Sequence, residues 1–207
     1  MNRVQRNQDI RIKILTITLL ALACVNSHAE VAKPQVNKAQ MEALHEGEII
    51  VRSSMTTLNE KTQSLDYQLS AMHPKSCIKA FRKLGMYESY SEFIGFVKKS
   101  EFNPKKNQLY LLFDHQLLPF PISLAFKIPR IKNDGDYPFV FERGMLPGLS
   151  GVVYITSQNS SSGSKCLIQM AAKWQGKHTG VGALIFELFS KTLSKMGAEK
   201  LIRMSRI

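Results

Sequence analysis

The stretch FPISLAFKI, residues 120 to 128, decides how the rest of the chain is read. Phe120, Ile122, Leu124, Phe126 and Ile128 alternate with Pro121, Ser123, Ala125 and Lys127. Successive side chains of a strand point to opposite faces, so this is a strand with one wholly apolar face, and that face has to be covered. The two-residue period continues from Phe93 to about Trp174. It is interrupted by the turn signals Asn103-Pro104-Lys105-Lys106, Lys132-Asn133-Asp134-Gly135-Asp136 and Asn159 to Ser164, as in an antiparallel meander. Phe139 and Phe141 share one side of their strand, with Arg143 on that side by the same count. Ile168, Met170, Ala172 and Trp174 share one side of the last strand.

Before the meander, Glu48 to Thr57 and Ser64 to Met72 are β-rich runs joined by Asn59-Glu60-Lys61, a hairpin. His73-Pro74 stops the second run. Pro74 to Leu84 then reads as a short helix, with Cys77, Ile78, Phe81 and Leu84 at helical spacing and Gly85 as its break. After the meander, Val181, Leu184, Ile185, Leu188, Phe189, Leu193 and Met196 form an apolar stripe on one long helix, the expected cover for the sheet. Its other side carries Lys191, Lys195, Lys200, Arg203 and Arg206, and Gly197 either bends or ends it. The expectation is an α+β domain over residues 47–207. It has a curved antiparallel sheet of about seven strands, two short helices after the second strand and a long C-terminal helix. Residues 30–46 are a polar lead with a helical turn around Met41 to His45.

That order of elements resembles the START-like (SRPBCC, helix-grip) superfamily, and in particular its polyketide-cyclase and coenzyme-Q-binding branch. The resemblance rests on GEIIV at 47–51, MHPKSCIKAFRKLGMYESYSEFIGFVKKSE at 72–101 and FERGMLPGLSGVVYI at 141–155, and it covers residue 47 to about 200. Phe141 stands where that branch often carries Trp. The resemblance implies a sheet wrapped around the long helix, with an elongated cavity between them for a hydrophobic small molecule or lipid. Phe113, Phe120, Leu124, Phe126, Phe139, Phe141, Met145, Met170, Trp174, Ile185 and Phe189 are the candidate lining residues; each is open to reading either as pocket wall or as packed core. Arg143 would either meet a polar group of the ligand or form a salt bridge at the rim.

The first 29 residues read as a secretory signal. Arg3, Arg6, Arg11 and Lys13 precede an apolar run from Ile14 to Ala23 that is too short to span a bilayer. Ser27-His28-Ala29 supplies the small residues of a cleavage site, which makes the protein exported and, in a bacterium, periplasmic. Ala23-Cys24 is the rival, a lipoprotein-like site, and an uncleaved anchor is the third reading. Removing four cations and Asp9 from 28 basic and 16 acidic residues leaves 24 against 15, a net charge of +9. With 44% hydrophobic and 21% charged residues the chain is neither disordered nor fibrous. In an oxidising compartment Cys77 and Cys166 either pair or stay as two buried thiols, since pairing needs Cα atoms within about 7 Å.

The sequence shows no catalytic constellation. Gly148-Leu149-Ser150-Gly151-Val152 lacks the second glycine of a nucleophile elbow, and Asp114 and His115 are neighbours that face opposite sides of a strand. There is no C-x-x-C and no His at ligand spacing from either cysteine, so neither metal nor cofactor is expected. Basic clusters at Lys75-Lys79-Arg82-Lys83, Lys98-Lys99 and Lys105-Lys106 suit an anionic membrane surface or an acidic partner better than nucleic acid, because no aromatic residues interleave with them to stack bases. The expected protein is a monomeric carrier of a hydrophobic ligand. The alternatives are a cyclase-type enzyme using Arg143 or His115 in the same cavity, and an interaction module with a filled core.

Overall fold

A computed structural model describes residues 31–204 apart from 117, 119, 161 and 162. The expected signal peptide, Cys24 and Arg206 lie outside the described residues. The elements in chain order are α1 (Lys38–Glu46), β1 (Ile49–Asn59), β2 (Thr62–His73), α2 (Cys77–Leu84), a short 3-10 turn, α3 (Tyr90–Phe93), β3 (Val97–Asn103), β4 (Gln108–Phe113), β5 (Ile122–Lys127), β6 (Gly135–Arg143), β7 (Ser150–Ser160), β8 (Gly163–Lys177) and α4 (Ala183–Met204). The strands make one antiparallel sheet in the order β1-β2-β8-β7-β6-β5-β4-β3. There are eight strands rather than about seven, because residues 114–121 break the alternation between β4 and β5.

The concave face holds the main core. On β2 it presents Leu65, Tyr67, Leu69 and Ala71, and on β8 Ile168, Met170, Ala172 and Trp174. Helix α4 lies over this face against β1. Its start is fixed by the fully buried Gln63, whose Oε1 accepts from the Thr179 amide at 2.9 Å and whose Nε2 donates to the Val181 carbonyl at 3.2 Å. One turn on, the Met55 amide donates to Glu187 Oε1 at 2.8 Å, and Ser190 Oγ donates to Ser53 Oγ at 2.7 Å. The amide of Met55, together with Lys191, holds the Glu187 carboxyl below its usual range. Cys77 at the start of α2 is joined to Cys166 of β8 by a disulfide, Cα to Cα 4.7 Å. Of the apolar residues expected to bury α2, Ile78 is instead 72% exposed, and Ala80 takes its place beside Cys77, Phe81 and Leu84.

The convex face has a smaller core of its own. Leu44, Met72 and Leu167 are buried there, with Val36, Met41 and Ile50 packed around them. Helix α1 starts three residues before the expected turn because Asn37 and Gln40 form a reciprocal capping box. Residues 31–37 have no regular structure, yet they are fixed across the convex face of β7 and β8. Gln169 Nε2 donates to the Pro34 carbonyl at 2.8 Å, Lys33 Nζ to Thr156 Oγ1 at 2.9 Å, and the Tyr154 hydroxyl to the Val31 carbonyl.

Candidate functional site

A cavity of about 470 Å³ lies between the concave face and α4. The sheet supplies its large residues. Phe126, Phe139 and Phe141 form an aromatic group, with Phe126 and Phe141 stacked at 5.0 Å between ring centroids and Phe139 6.0 Å from Phe141. The helix supplies both sizes: Ser190, Ser194, Gly197 and Ala198 face inward among Phe186, Phe189, Leu193, Leu201 and Ile202. Gly197 lets the Phe96 ring approach the helix backbone; a Cβ there would stand 3.5 Å from Phe96 Cζ. Protein interiors close to near-crystalline density when side chains are large enough to meet, so small side chains opposite a sheet that cannot collapse onto them leave a void.

Among the described residues that line the cavity there is no Asp, Glu, Lys, Arg or His. The titratable groups in the wall are phenols. Burial pushes Tyr67 up to about 12, opposed by its hydrogen bond with the Ser194 hydroxyl. Burial raises Tyr87 and Tyr90 too. The Tyr87 hydroxyl donates to the Pro129 carbonyl at 3.0 Å and the Tyr90 hydroxyl to that of Leu84 at 2.7 Å.

Phe113, Leu124, Phe126, Phe139, Phe141, Met145, Met170 and Phe189 stand in the cavity wall. Four of the expected residues do not. Phe120 lies before β5 and is 52% exposed. Ile185 is also 52% exposed, and with Leu184 and Leu188 it forms the outward side of α4; the helix is rotated from the expected stripe so that Phe186, Phe189, Leu193 and the small residues face inward. Trp174 is buried on the expected face but outside the cavity wall, donating from Nε1 to the Pro147 carbonyl at 3.0 Å.

Arg143 is displaced by a bulge. Phe126 pairs with Phe141 and Ala125 with Arg143, so Glu142 is an extra residue and the alternation that put Arg143 beside Phe141 changes phase. Arg143 therefore lies on the outer face, in an open groove with Lys106, Gln108, Lys127 and Glu142. Hydrogen bonds from Lys127, at 2.9 Å, and Gln108 hold the Glu142 carboxyl below its usual range.

Pairing puts loops 114–121 and 144–149, the β1–β2 turn and the start of α4 at one end of the sheet. Partly exposed wall residues Leu118, Met145, Val181 and Phe186 belong to that end, and the exposed Phe120, Leu184, Ile185 and Leu188 flank it. His115 is also there, edge-on to the Phe96 ring at 5.9 Å and outside the cavity wall. Ser150 and Gly151 open β7. Gly151 is required because a Cβ would stand 2.3 Å from the Ala171 carbonyl oxygen. No group of three or more His, Cys, Asp or Glu among the described residues could hold a metal. Sequence reasoning missed Tyr67, Ser190, Ser194 and Ala198, whose small or polar side chains give no apolar signal; the spacing of Ser190, Ser194 and Gly197 along one helix face was available.

An antiparallel sheet closed around a C-terminal helix is the helix-grip architecture, and solved structures bear this out. An aromatase/cyclase, Zhui, from Streptomyces sp. R1128 superposes with a TM-score of 0.56 at 7% identity, covering 69% of this chain and 94% of its own. A conserved protein from Geobacillus kaustophilus gives 0.55 at 13% identity over 68% and 95%. The protein Ara h 8.0201 gives 0.50 at 12% identity over 69% and 97%. The sequence matches no protein-family model and no curated protein. At these identities the likeness is one of fold.

Proposed function

We propose that this protein is exported and binds a hydrophobic small molecule, of lipid, isoprenoid or polyketide type, in the cavity between sheet and α4, as a monomeric carrier. The observation that carries this reading is a 470 Å³ cavity whose wall holds no charged side chain among the described residues. Such a wall favours apolar ligands by roughly 25 cal/mol per Å² of apolar surface buried, before ordering costs. The aromatase/cyclase among the fold neighbours supports a ligand of this class. Export rests on the leader sequence and is supported by the disulfide, a bond that persists in oxidising compartments. The exposed apolar residues around one end of the cavity and the net charge of +9 left once the leader is removed support docking at an anionic membrane during exchange.

A cyclase-type reaction on the same substrate class would draw its proton donor from Tyr67, Tyr87 or Tyr90, because Arg143 and His115 lie outside the wall. All three phenols are pushed above their ordinary range, far from the pH at which a general acid works best. The carrier reading is therefore the better supported. Its test is uptake of the neutral fluorophore N-phenyl-naphthylamine by the mature protein and by Ala198→Phe, which places a ring in the void. The wild type is expected to take up the dye, and the variant to lose uptake with its melting midpoint kept. A wild type that takes up no dye, or a folded variant that takes it up equally, overturns the reading.

A further inference from the structure

The cavity's polar atoms are few, and most are committed. Tyr87 and Tyr90 donate to main-chain carbonyls. Ser190 Oγ is bonded to Ser53 Oγ at 2.7 Å and to the Glu187 carbonyl at 3.0 Å. The remaining pair is Tyr67 of β2, only 9% exposed, and Ser194 of α4, both of which stand in the cavity wall. A hydroxyl carries one donor and two acceptor lone pairs, so each of the two can meet a ligand oxygen.

We infer that Tyr67 and Ser194 form a polar selector that makes the ligand a neutral hydrophobic molecule with one embedded oxygen, an alcohol, ketone or ester, and excludes carboxylates and phosphates. This rests on the carrier reading above and narrows it. An alcohol or carbonyl satisfies the free donor or lone pairs of the pair, a gain a plain hydrocarbon does not have. A carboxylate would enter a wall without a cation, and leaving a buried charge unpaired is heavily unfavourable. Both arginines of the β5–β6 region are committed or turned away. Arg130 is bonded through both guanidinium nitrogens to Glu88, at 3.1 and 3.2 Å, and lies over the Phe102 ring at 4.5 Å, while Arg143 is on the outer face.

The test is displacement of N-phenyl-naphthylamine by a matched set of dodecane, dodecanol, methyl dodecanoate and dodecanoate at pH 7. The alcohol and the ester are expected to compete about 3- to 10-fold better than the hydrocarbon, the size of one net hydrogen bond. Dodecanoate is expected to compete on the order of 100-fold worse than its own methyl ester. Tyr67→Phe should remove the advantage of the alcohol and leave dodecane unchanged. Ser194→Ala should do the same, which keeps the test available should one of the two variants fail to fold. Equal competition by all four ligands, or dodecanoate binding as well as its ester, overturns the selector while the carrier reading stands. Failure of the dye itself to bind overturns both.

Discussion

Strand β5 and helix α4 both carry many apolar residues, but they spend them in opposite ways. Ile122, Leu124 and Phe126 of β5 line the cavity, while Ser123, Ala125 and Lys127 face out. Helix α4 turns Ser190, Ser194, Gly197 and Ala198 inward and leaves Leu184 82% and Leu188 62% exposed. The difference locates the origin of the cavity. A sheet held at fixed curvature by ladder hydrogen bonds on both sides meets a helix whose short inner residues reach it near β1, through Ser190 and Ser53, and the void is what remains elsewhere.

The largest effect is expected on the sheet side. Phe139→Ala removes a ring that is 7% exposed and in contact with Phe126 and Phe141, and it should cost about 3–5 kcal/mol in denaturant unfolding. A loss under about 1 kcal/mol would mean the aromatic group is not packed as described. Next comes Tyr67, a wall residue on β2. Its phenol is raised from 10.0 to about 12, so the folded state favours the neutral form. Its contribution is complete below pH 10 and is lost as pH rises from 10 through 12, up to roughly 3 kcal/mol. Melting midpoints across that range should fall less steeply in Tyr67→Phe than in the wild type, and parallel curves would contradict the assignment.

On the helix side the effects shrink and change sign. Gly197→Ala adds a methyl group at ordinary contact distance from Phe96 and removes a helical glycine, so it should stabilise the protein by about 0.5–1 kcal/mol. Destabilisation would show that the helix sits closer to Phe96 than described. Leu188→Ser, on the outward face, should change stability by no more than about 0.5 kcal/mol. A larger loss would mean that this face is covered.

What was legible in the sequence follows the same division. A strand's period is two and admits only two phases, so Leu124, Phe126, Phe139, Phe141 and Met170 could be assigned to the interior by counting. Counting failed at Arg143, where the extra residue Glu142 reverses the phase and no composition signal marks the bulge. Helix α4 was harder, because Leu184, Ile185, Phe186, Leu188 and Phe189 make its first turns apolar on every side. An apolar stripe then has no unique direction. The small face was the informative one, since packing against β1 was fixed by Ser53 and Ser190, by Glu187 and by the Gln63 clamp. Cys77 and Cys166 could be named as candidates for pairing, but their Cα separation of 4.7 Å depends on how α2 docks on β8.

The measurement that bears most directly on the central claim is native mass spectrometry of the mature protein purified from the compartment to which its own leader delivers it, followed by organic extraction. The account predicts a one-to-one complex that releases a neutral, oxygen-bearing hydrophobic molecule and that is lost in Ala198→Phe. A ligand-free mass, with no uptake from a total lipid extract and no shift in melting temperature, would contradict it.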